Sequence, residues 1–228
     1  MNTKKDNAIK DILADFEKFA NLILQQLDIL ESIVNSGEIN ISENIFQEIL
    51  KNEKEFDKFE VEISEKIINT IVLYNPMASD LRKIMACYRI SIYLERIGDL
   101  ILNIINFIIR IKKPDLYAQL NDLISHMLIF STNMVKRALM SFTNSDKEYA
   151  IWTIKNDEVV DELNRKLLKK VIKKSNISKE TQQMLFSYIN IKEIISNIER
   201  MADHATNIAE ASIYALEGDD MRHRKLKE

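Results

Sequence analysis

The sequence contains one short motif twice, at a constant separation. The first copy, ERIGD, occupies residues 95–99, the second copy, ERMAD, occupies residues 199–203, and an Asn follows each copy four residues later. The offset between equivalent residues is 104, because 199 − 95, 203 − 99 and 207 − 103 all give that value. An internal repeat of this length predicts that the chain folds as two similar halves.

The composition predicts an all-α fold. Only three Gly and two Pro occur in 228 residues, so there is little material for tight turns, and helix-favouring residues dominate. Apolar residues recur at three- and four-residue steps and predict six helices of about 30 residues each. The predicted helices span approximately residues 6–35, 42–74, 75–111, 115–142, 145–175 and 178–216. Each half is then a three-helix bundle, and the two pseudo-symmetric bundles lie in tandem.

Three breaks set the boundaries of these units. Gly37 ends the first helix, because glycine adopts the left-handed conformation after a helix at little cost. Pro114, after two lysines, cannot continue a helix and separates the two halves. Gly218 ends the last helix. We therefore predict one bundle at residues 1–112, a second at 113–217 and a charged tail at 218–228.

Two further helix starts are predicted from capping patterns. Asn75 followed by Pro76 is typical of an N-cap with Pro in the first turn, which predicts that the third helix begins there. Ser145 with Glu148 three residues later is typical of a capping box at the start of the fifth helix.

Charge and cysteine content argue against several classes of protein. A formal net charge of −3 disfavours a nucleic-acid-binding role. The single Cys87 allows no internal disulfide, fits a reducing cytosol and is best interpreted as a small buried hydrophobic residue. The first residues do not resemble an export signal, and the uncharged runs are about half the roughly 20 residues that a membrane span needs. We expect a cytoplasmic protein whose membrane association is at most peripheral.

Acidic residues interrupt the apolar stripes of three predicted helices. On the third helix the stripe runs through Leu81, Met85, Tyr88 and Ile92 and continues into Glu95, Asp99 and Asn103. On the second helix Glu53, Asp57 and Glu60 fall in phase with the stripe, and Asp157 and Asp161 do so on the fifth. The second and fifth helices repeat at the same offset, because 157 − 53 and 161 − 57 equal 104. This phasing predicts that the carboxylates point inward.

Each half of the chain therefore carries two acidic pairs at i, i+4 spacing. Adjacent antiparallel helices would bring together a first set, Glu53, Asp57, Glu95 and Asp99, and a second set, Asp157, Asp161, Glu199 and Asp203. Buried carboxylates bind protons, pair with bases or coordinate a cation. Oxygen-only ligands suit a hard cation such as magnesium, calcium, manganese or iron, and Asn103 and Asn207 could add amide oxygens.

Plainer interpretations of the same residues stay open. Acidic residues four apart on a helix usually form a solvated face, and Arg96 or Arg200 could neutralise the neighbouring acids without any metal. His204 lies beside Asp203 but has Leu100 as its repeat equivalent, so it is a weak candidate ligand. The sequence contains no Gly-rich phosphate loop and no convincing catalytic triad.

These motifs together resemble the PhoU family of phosphate-uptake regulators, along almost the whole chain. The resemblance rests on the twin motif, on the segment NPMASDLR at 75–82 and on the segment EGDDMRH at 217–223. It implies a pair of three-helix bundles that bind multinuclear metal clusters through Glu/Asp-x-x-x-Asp motifs in some members. Carried onto this sequence, the metal ligands are the eight carboxylates of the two sets, and the ion is iron, manganese or magnesium. The second copy departs from the first at Ala202, which stands where the first has Gly98.

The resemblance also implies a function that the residues alone do not show. PhoU-like proteins are non-enzymatic regulators at the cytoplasmic face of the membrane. They link the ATPase subunit of a phosphate ABC transporter to a sensor histidine kinase, which is held inactive when phosphate is plentiful. On this basis we expect a negative regulator of the phosphate regulon, and we also expect a homodimer.

Two other classes of function remain as alternatives. A metal-dependent enzyme, such as an iron oxidase or a phosphatase, could use the same carboxylates. The Glu-x-x-His motifs that di-iron helical bundles use are absent from the sequence, which disfavours this class. A purely structural dimerising bundle, with protonated or Arg-paired acids, is the third possibility.

Overall fold

The all-α prediction is confirmed. The computed structural model describes the backbone of residues 3–173 and 181–221, and these residues form six α-helices and no strand. The helices are α1 (Thr3–Ser36), α2 (Glu43–Tyr74), α3 (Ser79–Ile109), α4 (Pro114–Asn144), α5 (Lys147–Lys173) and α6 (Thr181–Glu217). The predicted end of the fifth helix at Ser175, the predicted start of the sixth at Ser178 and residues 222–228 of the predicted tail lie outside the described residues.

The three breaks predicted from Gly and Pro are confirmed. Gly37 and Gly218 follow α1 and α6 with φ angles of 68° and 77°, in the left-handed region where a Cβ would be strained. Pro114 is the first residue of α4, where its missing N–H removes no helical hydrogen bond.

The predicted N-cap at Asn75 is wrong. Asn75 instead ends α2, with φ 44° and ψ 58°, and its N–H donates to the carbonyl oxygen of Ile71 at 3.0 Å. The physical reason is that Pro76 disfavours the right-handed helical conformation in the residue before it, while Asn tolerates the left-handed one. The chain then needs a short connection, and α3 begins only at Ser79.

The capping box at Ser145 is wrong by one residue. Ser145 ends α4 in the left-handed conformation, with φ 55°. Asp146 caps α5 in its place, because its Oδ1 accepts a hydrogen bond from the N–H of Glu148 at 2.9 Å. A side chain at this position satisfies one of the otherwise unpaired N–H groups of the first helical turn.

Asp146→Ala should lower the free energy of unfolding by about 1 kcal/mol, the usual cost of losing an N-cap. Ser145→Ala should change it by less, because the Ser145 side chain does not cap α5. Urea denaturation of the two variants measures the difference. A larger loss in Ser145→Ala than in Asp146→Ala would restore the capping box that the sequence predicted.

The six helices form two three-helix bundles packed side by side. The helices α1, α2 and α3 form the first bundle, α4, α5 and α6 form the second, and the two meet where α3 packs on α6 and α1 packs on α4. The rings of Tyr93 and His204 stack at 5.8 Å across the α3–α6 contact, and Phe16 meets Phe142 edge-on at 5.1 Å across the α1–α4 contact. The helices α2 and α5 lie on the outside.

One continuous apolar core runs through both bundles. It includes fully buried residues such as Ile23 of α1, Ile97 of α3 and Met201 of α6, and it also holds Cys87, as predicted. Burial raises the pKa of the Cys87 thiol, so this residue behaves as a small hydrophobe. Because the core crosses from one bundle to the other, the division into separate domains at residues 112 and 113 stays a prediction.

The contact between α2 and α3 is unusually close at Gly98. A Cβ atom at Gly98 would overlap the ring of Phe56 and would lie 3.0 Å from its Cε2 atom. The equivalent residues in the second bundle are Ala202 and Val160, because 202 − 98 and 160 − 56 equal 104, and both are buried. In the second copy the residue on α6 is larger, Ala in place of Gly, and the residue on α5 is smaller, Val in place of Phe. This exchange of volume explains the departure at Ala202 that the sequence comparison found.

Of the helices in the described part of the chain, none offers an apolar stretch of the length that a bilayer crossing needs.

Candidate metal centres

The first set of carboxylates lies on two helices that pack on one another, α2 and α3. Each helix places its pair one turn apart, Glu53 with Asp57 on α2 and Glu95 with Asp99 on α3, so that each pair shares a face. Burial raises the pKa of Glu53, and the charges of Asp57 and Asp99 raise it further. Burial likewise raises the pKa of Glu95 and of Asp99, and the charge of Asp57 raises both pKa values further. The two pairs thus lie on neighbouring helices and influence one another's pKa, while their meeting at one site stays a prediction.

The second set lies in the same way on α5 and α6, which also pack on one another. Burial raises the pKa of Asp157, and a hydrogen bond from the Thr206 hydroxyl at 3.1 Å opposes the rise. The charges of Asp161 and Glu199 raise the pKa further. Burial and the charges of Asp157, Glu199 and Asp161 raise the pKa of Asp203 to about 6. A carboxyl group with this pKa is penalised for ionising at neutral pH.

The prediction that the carboxylates point into the core is wrong. Asp57, Asp99 and Asp203 are exposed, and the other five carboxylates are half-buried. The fully buried face of α3 carries Leu94, Ile97 and Ile101 instead. The stripe that the sequence emphasised, Leu81, Met85, Tyr88 and Ile92, is only half-buried and lies at the edge of that face. The two acidic sets therefore lie along the surface seams between helices.

None of the eight carboxylates forms an ion pair with a residue that the structure describes. Arg96 and Arg200 are exposed, and they lower the pKa of the neighbouring acids only as a secondary effect. Within the described part of the chain, the charge of each set is thus largely uncompensated. Clustered oxygen donors without basic partners fit a hard cation such as magnesium, manganese or iron.

The described side chains do not form a complete coordination sphere. Among the described residues, no three Asp, Glu, His or Cys side chains converge closely enough to hold a metal ion. Ionised carboxylates repel one another, and partly exposed side chains can rotate between open and convergent arrangements. The ligand roles of the eight carboxylates therefore stay predictions.

The two asparagines that the sequence added to the sets are less well placed. Asn103 is exposed, and Asn207 lines a small recess with Arg89 and Tyr93 between α3 and α6. Neither side chain forms a hydrogen bond to a carboxylate in the described part of the chain. Their role as amide ligands stays a prediction.

The structure adds two polar neighbours to the second set. Thr206 binds Asp157, as described above, and the Nδ2 group of Asn164 donates a hydrogen bond to Oε2 of Glu199. Asn164 could have been found from the sequence, because it lies one turn after Asp161 on the same face of α5. Thr206 could not, since its repeat equivalent is Leu102.

His204 lies on the α3–α6 contact and follows Asp203 of the second set in the chain. Burial and the charges of Arg96 and Arg200 lower its pKa to about 4, so the imidazole is neutral at physiological pH. Its Nδ1 atom is buried and has no hydrogen-bond partner among the described residues. The ring stacks on Tyr93 rather than entering the second set, and its weak candidacy as a ligand stays a prediction.

Comparison with known families shows to which family the chain belongs. The family profile described as the PhoU domain matches residues 7–108 and, a second time, residues 124–212. Together the two matches cover most of the sequence. The chain belongs to the PhoU family. The two matched segments fall in the two bundles, so one PhoU domain corresponds to one half of the internal repeat.

Curated members of the PhoU family align along nearly the whole chain. The phosphate-specific transport system accessory protein PhoU homolog of Aquifex aeolicus is 33% identical over 216 residues, which is 92% of this chain and 92% of that protein. The protein of the same name from Burkholderia sp is 27% identical and covers 98% of this chain and 93% of its own length.

Solved PhoU structures share the fold. The phosphate transport system regulatory protein PhoU from Streptococcus pneumoniae superposes with a TM-score of 0.81 at 21% identity, covering 95% of this chain and 98% of that one. PhoU from Pseudomonas aeruginosa superposes with a TM-score of 0.76 at 21% identity, covering 94% and 99%. The resemblance to the PhoU family and the prediction of two three-helix bundles are both confirmed.

Proposed function

We infer that the protein is a non-enzymatic accessory protein of phosphate transport that regulates the phosphate regulon negatively. The observation that carries this inference is the alignment, over 92% of the chain, with a relative named as a phosphate-specific transport system accessory protein. An accessory protein works through its surfaces, and a rigid pair of bundles presents such surfaces to partners.

The proposed partners are the ATPase subunit of a phosphate ABC transporter and a sensor histidine kinase. In this scheme the protein acts as a cytoplasmic homodimer that reaches the membrane only through those partners. The end of α2 supports a docking role, since Val72, Leu73 and Met77 are 75%, 70% and 74% exposed. Apolar side chains clustered at a surface are typical of protein interaction sites.

We further infer that each bundle holds a metal ion at its carboxylate set. The support is the acidity of the two seams, where burial first and the neighbouring carboxylates second raise the pKa of Glu53, Glu95, Asp99, Asp157 and Asp203. A bound cation supplies the positive charge that these carboxylates lack, and it would tie α2 to α3 and α5 to α6. Iron, manganese and magnesium all suit oxygen donors.

Deletion of the gene tests the regulatory role. In high-phosphate medium the deletion should raise alkaline phosphatase or transporter expression, and the wild-type gene should restore repression. Unchanged expression would contradict the regulatory proposal.

Affinity capture with the full chain should recover the transporter ATPase or the histidine kinase, and capture of neither would contradict the adaptor role.

Metal analysis separates the remaining alternatives. Protein purified without chelator should contain stoichiometric iron, manganese or magnesium, whereas the purely structural bundle predicts none. Phosphatase or iron-oxidase activity that tracks with the metal content would favour the enzyme alternative. An Asp99→Asn/Asp203→Asn variant, tested for repression in the deletion strain, shows whether regulation needs the metal.

A further inference from the structure

A groove of about 410 Å³ lies where α1 ends and α2 begins, and we call it the hairpin groove. Its lining comes from the last two turns of α1, from the connection after Gly37 and from the start of α2. The apolar residues of this lining are Ile29, Ile33, Ile41 and Ile45, and of these only Ile33 is buried. Solvent therefore contacts apolar surface in the groove, and a bound side chain would remove that surface from water.

The second bundle packs its own side chains at the equivalent place. The guanidinium carbon of Arg137 lies 4.1 Å from the centre of the Trp152 ring and 5.9 Å from the centre of the Tyr149 ring. Trp152 also packs against Phe130, with 6.0 Å between the ring centres. A guanidinium over an aromatic face is held there by the negative potential of that face and by packing. The end of α4 and the start of α5 are thus joined by a stack that contains an arginine.

The first bundle has groove residues at all three positions of this stack. The repeat equivalents of the arginine and its two rings are Ile33, Ile45 and Glu48, because 137 − 33, 149 − 45 and 152 − 48 all equal 104. All three line the hairpin groove. The first bundle therefore lacks the guanidinium and both rings at this place. The space that an arginine of the chain fills in the second bundle is open in the first to a side chain from another molecule.

The rim of the hairpin groove is acidic. Glu38 and Glu48 are exposed, and neither forms an ion pair with a residue that the structure describes. No Lys or Arg is found among the described residues that line the groove. The last turn of α1, which borders the groove, also lacks a basic residue. Since the carboxyl end of a helix carries partial negative charge, the groove favours a positively charged group.

We propose that the hairpin groove is a docking site for a segment of a partner protein that presents an arginine next to an apolar side chain. The guanidinium pairs with Glu48 and Glu38 at the rim, and the apolar side chain covers the isoleucines. Arginine fits better than lysine, because its planar group binds a carboxylate with two N–H donors and packs flat on apolar surface. That a partner protein supplies the segment rests on the proposed accessory role, whereas the capacity of the groove to bind such a segment does not.

The test is an NMR titration of the ¹⁵N-labelled full chain with the peptide acetyl-Leu-Arg-Leu-amide. The matched peptide acetyl-Leu-Gln-Leu-amide keeps the apolar side chains and lacks the charge. The arginine peptide should shift the amide signals of the hairpin groove and bind about threefold more tightly than the glutamine peptide, which is the gain that an exposed ion pair gives.

Two variants of the groove separate charge from shape. Glu38→Gln/Glu48→Gln keeps the size of both side chains and should abolish the preference for the arginine peptide. Ser32→Trp places a large ring at an exposed position of the lining and should abolish the binding of both peptides. Thermal melting followed by circular dichroism shows that each variant remains folded.

Glu62→Gln/Glu65→Gln is the matched control, because it removes two charges from exposed positions of α2 outside the groove. It should leave the preference for the arginine peptide unchanged. Equal binding of the two peptides to the wild-type groove would overturn the assignment of an arginine. Shifts confined to the two carboxylate sets, or no shift with either peptide, would overturn the site itself. Groove signals that shift with protein concentration in the absence of peptide would assign the groove to a second copy of the chain instead.

The docking role is tested in the deletion strain. Ser32→Trp should fail to restore repression in high-phosphate medium, although the protein is folded. Normal repression by a variant that no longer binds the peptide would overturn the docking role and leave the proposed function intact. A deletion that leaves expression unchanged would contradict the proposed function, while peptide binding at the hairpin groove would still stand.

Discussion

Asp203→Asn should stabilise the metal-free protein at neutral pH by about 1 kcal/mol, because it removes a carboxyl group whose ionisation is penalised. The pKa of Asp203 rises from 3.8 to about 6 through burial and the charges of Asp157, Glu199 and Asp161. Taken in full, this shift corresponds to about 3 kcal/mol. Asp203 is exposed, however, so solvent screening reduces the contribution to about a third of that figure.

The same shift fixes how the stability of the metal-free protein depends on pH. A carboxyl group whose pKa is higher in the folded state binds more protons there than in the unfolded chain. Stability is therefore highest below a pH near 3.8 as far as Asp203 is concerned, falls as the pH rises towards about 6, and stays low above it. Urea denaturation at about pH 4 and about pH 7.5 should show a smaller difference in Asp203→Asn than in the wild type.

Added cation should reverse the order of stability. Saturating Mn²⁺ stabilises a protein that binds it only in the folded state by about 2.7 kcal/mol at 100 times the dissociation constant. Asp203→Asn should gain less than the wild type, because its second carboxylate set lacks one of the proposed ligands. Asp122 is an exposed aspartate of α4 that belongs to neither set, so Asp122→Asn should behave as the wild type does. Equal gains in wild type and Asp203→Asn would show that Asp203 is no ligand.

The internal repeat carried most of what the sequence predicted correctly. A constant offset of 104 predicts that α2 and α3 pair as α5 and α6 do, so the sequence alone assigns the four acidic pairs to two sets. The same offset would also have corrected the capping box. Ser42 caps α2, and its repeat equivalent is Asp146, because 146 − 42 equals 104. The Ser145 pattern was locally plausible but out of register with the repeat.

The burial of the carboxylate side chains could not be predicted in the same way. A helix that packs on one neighbour has one apolar stripe, whose centre marks the core. The helix α3 packs on α1, α2 and α6, so its apolar face is wide and half-buried residues such as Tyr88 and Ile92 mark its edge. A stripe drawn through those residues leads to the surface seam rather than to the core. Only the tertiary contacts show which apolar residues of α3 face the core and which lie at the surface seam.

The helix ends at Asn75 show a second physical limit. Asn and Ser are favoured both before a helix, where the side chain caps, and after one, where Asn tolerates the left-handed conformation. Asn75-Pro76 satisfies the local rule for either role. The choice depends on where α3 must begin in order to pack on α6, which is a property of the assembled bundles.

Gly98→Ala should destabilise the protein by about 2 kcal/mol, despite the gain of about 1 kcal/mol in helix propensity that Ala normally brings. The added methyl would overlap the ring of Phe56, which is only 1% exposed and therefore has little room to move aside. Gly98→Ala combined with Phe56→Val recreates the Ala202 and Val160 pair of the second bundle. The double variant should be about 2 kcal/mol more stable than the two single effects added together. Simple additivity in urea denaturation would contradict this coupling.

The same substitution tests whether helix spacing sets the geometry of the first centre. Phe56 precedes Asp57 and Gly98 precedes Asp99, so the close contact lies next in the chain to two of the proposed ligands. Forcing α2 away from α3 should separate those carboxylates and weaken Mn²⁺ binding at the first centre, while the second centre keeps its affinity. Phe56→Val in the Gly98→Ala background should restore part of that affinity. An unchanged first centre in a destabilised Gly98→Ala protein would show that the spacing of α2 and α3 serves the core alone.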